Sequence, residues 1–180
     1  CKRWKKNGTK VILLPQAFGP YDSKSNQKNI KKTLDYADLV FAREKISYEY
    51  LVDLAGERPN LKIAPDFTNL IEHVAPENFD NKNNHFCIVP NHRMVDKTNK
   101  KESESYLPFI TEVTRYAYEK GQKPFILVHG DTNDLVIAEK IRDTVGVNIQ
   151  IIKETNPLKI KGILGASSAT LGSRFHGLVS

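Results

Sequence analysis

The chain alternates short runs of apolar, mostly β-branched residues with segments in which apolar residues recur at helical spacing. The short runs predict strands at 10–14, 39–42, 61–64, 85–89, 124–128, 148–152 and 169–171. The helical spacing predicts helices at 29–37, 44–55, 105–120, 133–145 and 157–164. Apolar strands separated by helices are typical of parallel sheets covered on both faces, so the alternation predicts an α/β fold.

Prolines and glycines set the predicted ends of several elements. Pro15 and Pro65 close the first and third strands, because proline cannot donate to a sheet ladder. Pro108 suits the first turn of the helix at 105–120, where a missing N–H costs little. Gly56 follows the helix at 44–55, and a glycine there is typical of a helix C-terminus.

A polar segment divides the pattern into two halves. Residues 76–84 read PENFDNKNN and contain almost no apolar side chain, so we predict a linker there. We expect residues 1–75 to belong to one Rossmann-like unit and residues 85–180 to a second. The chain begins with Cys1 and stops at the start of a helical pattern. We interpret it as an internal piece of a longer protein, truncated at both ends.

The composition predicts a soluble globular protein. Hydrophobic residues make up 39% and charged residues 27%, with a net charge of +6 and no apolar run as long as a membrane span. The sequence lacks the aromatic-basic interleaving of nucleic-acid modules, so no nucleic-acid partner is expected. We interpret the basic clusters as solvated faces, while weak attraction to the inner surface of a membrane stays open. Their members are Lys2, Arg3, Lys5, Lys6, Lys10, Arg93, Lys97, Lys100 and Lys101.

The two cysteines argue against a disulfide scaffold and favour a reducing cytoplasm. Cys87 lies in the run HFCIV, where we expect a buried thiol acting as a small apolar group. No Cys/His set has zinc spacing, and no metal site is predicted.

Ligands of open α/β sheets bind beyond the carboxyl ends of the strands, so residues that follow strands are candidates. In the first half these are Gln16, Arg43 and Asp66. The amide of Gln16 suits sugar hydroxyls. Arg43 suits a ligand, or a structural ion pair with Glu44 or Asp66. Asp66 is a candidate to bind a hydroxyl of the acceptor or to act as a base, and the alternative is that it caps the next turn.

In the second half, histidines follow three predicted strands: His92, His129 and His176. Arg174 lies two residues before His176 and offers a planar fork of donors for carboxylate or phosphate. His176 can exchange a proton near neutral pH. The alternative is that Arg174 makes a surface ion pair and His176 caps a helix. A Walker A motif, a dinucleotide fingerprint and a Gly-x-Ser-x-Gly elbow are all absent from the sequence.

Four motifs together resemble the polysaccharide pyruvyl transferase family. They are LPQAFGP at 14–20, FARE at 41–44, APD at 64–66 and GSRFHG at 172–177, and they occur in the order that the family has. The resemblance extends over almost the whole chain, and the last motif is the most specific. It implies a GT-B-like fold, in which two Rossmann-like units face each other across a cleft.

The resemblance implies a cytoplasmic bacterial transferase that moves a pyruvyl group from phosphoenolpyruvate to sugar hydroxyls. The product is a pyruvate ketal on a capsule, exopolysaccharide or cell-wall polymer, and the acceptor is a sugar or lipid-linked saccharide. Phosphoenolpyruvate is a substrate, and no cofactor is implied. The implied catalytic residues are His176, Arg174 and His129, the donor-binding residues Arg174, Ser173, Gly177, Asn91 and Arg93, and the acceptor-binding residues Gln16, Arg43 and Asp66.

Two other function classes stay open on the sequence. A GT-B glycosyltransferase that uses a nucleotide-sugar donor would share the fold and an arginine- and histidine-lined cleft. A non-catalytic anion-binding domain would bind phosphoenolpyruvate weakly and turn nothing over.

Overall fold

The structure is a computed structural model that describes residues 2–76, 85–174 and 176–179, without the side chains of His176 and Val179. It divides into two compact units, Cys1–Leu70 and Ile71–Ser180. Residues 71–76 pack with the second unit, where the Val74 amide donates to the carbonyl of Leu158 at 3.1 Å. The predicted linker lies almost wholly outside the described residues, so that boundary stays a prediction.

The first unit is a parallel sheet with helices packed on it. In chain order its elements are α1 (Lys2–Lys6), β1 (Ile12–Gln16), α2 (Lys24–Tyr36), β2 (Leu39–Ala42), α3 (Lys45–Ala55), β3 (Leu61–Ile63) and a 3-10 turn at Phe67–Leu70. The described strands pair in the order β1-β2-β3. Leu34 of α2, Val40 of β2 and Leu51 of α3 meet in one buried cluster. Burial of such side chains contributes about 1.5–3 kcal/mol each.

The largest differences from the predicted bounds in this unit are in β1 and α2. β1 runs through Pro15 to Gln16 instead of ending at Leu14. Proline is tolerated there because β1 lies at one edge of the described sheet and its register shifts between Leu13 and Gln16. α2 begins several residues before the predicted 29, since the Ser23 hydroxyl accepts from the Asn26 amide at 3.1 Å and caps the helix.

The second unit is a larger parallel sheet. Its elements are β4 (His85–Val89), α4 (Arg93–Asp96), α5 (Lys100–Glu119), β5 (Lys123–Val128), α6 (Thr132–Val145), β6 (Gln150–Lys153), α7 (Pro157–Gly165), β7 (Ala169–Gly172) and α8 (His176–Val179). The described strands pair in the order β6-β5-β4-β7. The α/β class predicted from the sequence is therefore confirmed in both units.

The two faces of this sheet carry different helices. Ile88 and Ile126 pack with Ile110 of α5 and Ile141 of α6. On the opposite face, Cys87, Val89, Phe125 and Leu127 pack with Ile163 of α7. Cys87 is fully buried as expected, and burial raises the pKa of its thiol to about 12. Among the described residues, no helix has the length and apolarity needed to cross a bilayer.

The position predicted for Pro108 is wrong. α5 starts at Lys100, so Pro108 lies inside the helix and not in its first turn. The Asn99 side chain accepts from the Glu102 amide at 3.0 Å and fixes the earlier start. Pro108 is exposed, so water can reach the Glu104 carbonyl whose helical hydrogen bond proline removes.

Candidate active site

The strand order of the second sheet reverses beside β4. The chain steps outward from β4 to β5 and β6, then returns and places β7 on the other side of β4. α5 and α6 cover one face and α7 covers the other, so the crossover changes face at the same point. Ligands of open α/β sheets bind beyond the carboxyl ends of the strands at such a switch point. The loops after β4 and β7 are therefore the first place to look for a site.

Asn91, which follows β4, is bonded to Ser173, which follows β7. The Asn91 side-chain amide donates to the Ser173 carbonyl at 3.1 Å. The phenol oxygen of Tyr106, on α5, accepts from the Asn91 backbone amide at 2.9 Å and lies 2.7 Å from the Ser173 hydroxyl. Burial raises the pKa of Tyr106, and the hydrogen bonds to Ser173 and Asn91 oppose that shift. Asn91 and Ser173, two predicted donor-binding residues, are thus bonded to each other and to the same buried tyrosine hydroxyl.

Arg174, the next residue after Ser173, is paired with a buried acid. Its Nη2 donates to Oδ2 of Asp134, which is 1% exposed and lies in the first turn of α6. Nε of Arg174 is buried and has no hydrogen-bond acceptor among the described residues. Arg174 therefore makes an ion pair, but with a buried acid at the switch point and not the surface pair of the alternative interpretation. The guanidinium has further donors beyond this pair.

Asp134 was not singled out from the sequence. Its other oxygen, Oδ1, accepts from the His92 backbone amide at 2.8 Å. The carboxylate thus joins α6, the loop after β4 and the loop after β7. Gly130 leaves room for the pair, since a Cβ there would overlap both the carboxylate and the guanidinium. The available signal was an acid three residues after the cap Asp131, a common pattern at helix starts.

His129 lies beside the first turn of α8. A Cβ on Gly177 would be 3.6 Å from Nε2 of His129 and 3.3 Å from Cγ1 of Val89. The His129 ring is half-buried, and its Nε2 is not exposed to solvent. His129 and Gly177, both predicted site residues, are therefore neighbours. The side chain of His176, the predicted proton donor, lies outside the described residues.

Arg93, predicted to bind the donor, points to an acid of its own helix. Its Nη1 donates to Asp96 at 2.8 Å, and its side chain is 57% exposed. His92 also lies near Asp96, with Nε2 at 3.8 Å. Among the contacts of the described residues, none joins the Arg93 side chain to Asn91–Ser173 or to Arg174. Its predicted role in donor binding therefore receives no support from these contacts.

The candidates of the first unit also lie at one carboxyl edge of their own sheet. The Arg43 backbone amide donates to the Gln16 carbonyl at 3.0 Å, where β1 and β2 end side by side. The Arg43 guanidinium donates to Glu44 at 2.9 Å and to Asp66 at 3.3 Å. This is the structural ion pair that the sequence left open as an alternative.

Asp66 and Glu44 are each fixed by further hydrogen bonds. Asp66 is buried and accepts from the Thr68 amide at 3.0 Å and from its hydroxyl at 2.8 Å, so it caps the 3-10 turn. Glu44 accepts from the Ser47 hydroxyl, which lowers the pKa of its carboxyl, and Arg43 lowers that pKa further. These acids hold Arg43 in place with only 16% of its side chain exposed.

A family model described as polysaccharide pyruvyl transferase matches residues 2–180. The match includes both units and every candidate residue described above. The chain belongs to the polysaccharide pyruvyl transferase family. No curated protein matches it.

Solved structures resemble this pyruvyl transferase family member in fold. A structure of S. aureus MnaA with UDP matches with a TM-score of 0.60 at 13% identity, covering 96% of this chain and 49% of that one. A crystal structure of TarM matches with a TM-score of 0.46 at 18% identity, covering 88% and 30%. The MnaA match agrees with the two parallel sheets, and the α/β fold class predicted from the sequence is therefore shown. The chain spans about half the length of the MnaA structure.

The second unit of this family member has groups that suit a small anion. Arg174 has donors beyond its pair with Asp134, and Ser173, the residue before it, is bonded to Asn91 across the loops of the switch point. His129 adds an imidazole at the neighbouring strand end. In the described part of the chain, no three His, Cys, Asp or Glu side chains lie close enough to hold a metal ion.

Proposed function

We propose that the protein transfers a pyruvyl group from phosphoenolpyruvate to two hydroxyls of one sugar, forming a pyruvate ketal. The observation that carries the proposal is the position of Arg174, beside Ser173 at the switch point, in a chain of the pyruvyl transferase family. Phosphoenolpyruvate is a small trianion, and an arginine fork there offers parallel N–H donors to a phosphate or a carboxylate.

Pyruvyl transfer needs an acid, a base and groups that stabilise the charge on the leaving phosphate. The methylene carbon of phosphoenolpyruvate gains a proton, the central carbon forms two C–O bonds to sugar hydroxyls, and its C–O bond to phosphate breaks. The two hydroxyls lose two protons in total: one ends in the new methyl group and the other leaves with phosphate. No oxidant or reductant is required. Proton transfer by a positioned side chain is worth about 10²–10⁴-fold in such reactions.

Three residues are assigned catalytic roles on this proposal, and three more bind the donor. His176 delivers the proton to the methylene carbon, and His129, next to Gly177, acts as the base for a hydroxyl. Arg174 stabilises the charge that develops on the leaving phosphate. Ser173, Gly177 and Asn91 line the donor site.

The acceptor is proposed to be a sugar or lipid-linked saccharide of a bacterial capsule, exopolysaccharide or cell-wall polymer. Gln16 is exposed at the end of β1, and its amide can both donate to and accept from sugar hydroxyls. The ion pair of Arg43 and Asp66 lies at the same carboxyl edge of the sheet and is proposed to border the bound acceptor. A pyruvate ketal adds one carboxylate to the product, which suits an anionic polymer.

A basic surface of the first unit suits an anionic membrane face, and we propose cytoplasmic action at the inner membrane. Trp4, on α1, is 57% exposed, and Lys2 and Lys6 of the same helix are exposed as well. The outer face of α2, which contacts α1, adds exposed lysines at 24, 28, 31 and 32. Each basic residue near anionic lipid contributes about 1 kcal/mol. Sedimentation with anionic vesicles tests this; binding that is equal on neutral vesicles contradicts it.

The second candidate function is transfer from a nucleotide-sugar, which the UDP in the MnaA structure favours. Calorimetry separates the two donors. We expect the protein from its complete reading frame to bind phosphoenolpyruvate, and Arg174→Lys to weaken that binding because lysine keeps the charge but loses the fork. Unchanged affinity in Arg174→Lys overturns the role of Arg174. Tight UDP binding without phosphoenolpyruvate binding favours the second function, and weak phosphoenolpyruvate binding without turnover identifies a non-catalytic anion-binding domain.

A further inference from the structure

Asp134 occupies a place that neither helix capping nor core packing requires. Asp131 already caps α6, accepting from the Asn133 amide at 2.9 Å. Asp134 is 1% exposed, and a buried carboxylate is costly unless it is paired and hydrogen-bonded. It satisfies both oxygens with groups from two other loops: the His92 amide and the guanidinium of Arg174. The Asp134 carboxylate therefore fixes the His92 loop and the Arg174 guanidinium relative to one another.

We propose that Asp134 is a positioning residue that holds the Arg174 guanidinium in the orientation needed by the phosphoenolpyruvate donor. The inference rests on the proposed function and adds a residue to it. Arginine has five N–H donors in a rigid plane. Fixing Nη2 on Asp134 fixes the plane and so the direction of the remaining donors. Through the His92 amide and the Arg174 guanidinium, the Asp134 carboxylate joins the loops after β4 and β7, on either side of the switch point.

The absence of a side chain at Gly130 also supports a positioning role for Asp134. A Cβ on Gly130 would overlap Oδ2 of Asp134 and the Arg174 guanidinium. Both are ends of side chains, so alanine there would displace the ion pair while leaving both charges in the protein. Gly130→Ala is therefore a second variant that moves the guanidinium without creating an unpaired buried charge.

The charge and the geometry of Asp134 have opposite effects on the donor. Removing its negative charge makes the site more positive and favours binding of a trianion. Removing the anchor lets the guanidinium turn, and a misplacement of about 1 Å costs on the order of 10²-fold in rate. We expect Asp134→Asn to lower kcat about 10–100-fold while the donor affinity stays within about threefold or rises. Loss of an ordinary structural acid would not split kcat from affinity in this way.

The test combines Asp134→Asn with Arg174→Lys and Gly130→Ala. We expect Gly130→Ala to lower kcat about as much as Asp134→Asn, and Asp134→Asn to have little further effect on kcat in the Arg174→Lys background. Independent, multiplicative losses in kcat overturn the inference. The matched control is Asp143→Asn on the same helix, because Asp143 is 66% exposed and pairs only with Arg142 among the contacts described.

A readout without substrate separates this inference from the proposed function. We expect the Nε–H of Arg174, assigned in NMR spectra by its loss in Arg174→Lys, to exchange slowly because it is buried. Exchange should accelerate in Asp134→Asn and Gly130→Ala but not in Asp143→Asn. If the wild-type protein turns over no phosphoenolpyruvate yet exchange responds as expected, the function fails and the positioning stands. Unchanged exchange in both variants overturns the positioning.

Discussion

The phenol oxygen of Tyr106 lies 2.7 Å from the hydroxyl oxygen of Ser173. Through this contact the face of α5 that packs against the sheet meets the loop after β7, immediately before Arg174. The same oxygen accepts from the Asn91 amide at 2.9 Å. One buried hydroxyl therefore fixes the loops on both sides of the switch point.

Replacing Tyr106 by phenylalanine should lower the free energy of unfolding by about 1–2 kcal/mol, because the partly buried Asn91 amide and the Ser173 hydroxyl lose a partner. Urea-induced unfolding measures the change. Tyr118→Phe is the matched control, since Tyr118 lies on the same helix and is 50% exposed. Equal stability of the two variants would show that the Tyr106 hydroxyl contributes nothing to the loops.

His176→Ala should cost turnover far more than donor binding, by on the order of 10²–10⁴-fold for a lost general acid. His176→Gln should be nearly as poor, because its amide donates a hydrogen bond but does not shuttle protons. Steady-state kinetics with calorimetry of donor binding separates the two effects. Near-normal turnover of His176→Gln would leave His176 a binding or capping residue, and His129 would be the next proton donor to test.

Asp38 should give the first unit an acid-dependent stability. The hydrogen bond from Lys5, with the Val11 amide, holds the pKa of the Asp38 carboxyl at about 2. Because this folded-state pKa lies below the unfolded value of about 3.9, the stabilisation is complete above pH ~4 and disappears as pH falls towards 2. Asp38→Asn should therefore be less stable than wild type at pH 7, with the difference shrinking over that interval.

Urea unfolding at a series of pH values measures the Asp38 contribution. Asp53→Asn is the control, because Asp53 is an exposed acid on α3 of the same unit. A difference between Asp38→Asn and wild type that is constant from pH 7 to pH 2.5 would contradict the assignment.

Turnover should survive a chelator, because Arg174, Asn91 and Ser173 are proposed to hold the donor, and the histidines to transfer protons, without a metal ion. Initial rates with and without EDTA check this expectation. Complete loss of activity with EDTA, restored by a divalent ion, would refute it.

The strands could be predicted from the sequence, since short apolar runs are a local signal, although the bounds of β1 and β6 differ from the prediction by one or two residues. β2 and β4 have the predicted bounds, and Asn91 and Ser173 were found because both follow such runs. The start of α5 was missed because its first turn is polar, although Asn99 followed by Glu102 is a typical capping pattern. Asp134 was missed because its partner Arg174 lies 40 residues away in the chain. No local pattern encodes that contact; the sheet topology creates it.

The central claim is that phosphoenolpyruvate is the donor, and phosphate release tests it most directly. The assay combines the protein from its complete reading frame with phosphoenolpyruvate and a panel of sugars and lipid-linked saccharides. We expect phosphate release that requires both substrates and equals the amount of pyruvate ketal found on the acceptor by mass spectrometry. Transfer of a sugar from a nucleotide-sugar donor, with no phosphate released from phosphoenolpyruvate for any acceptor, would contradict the claim.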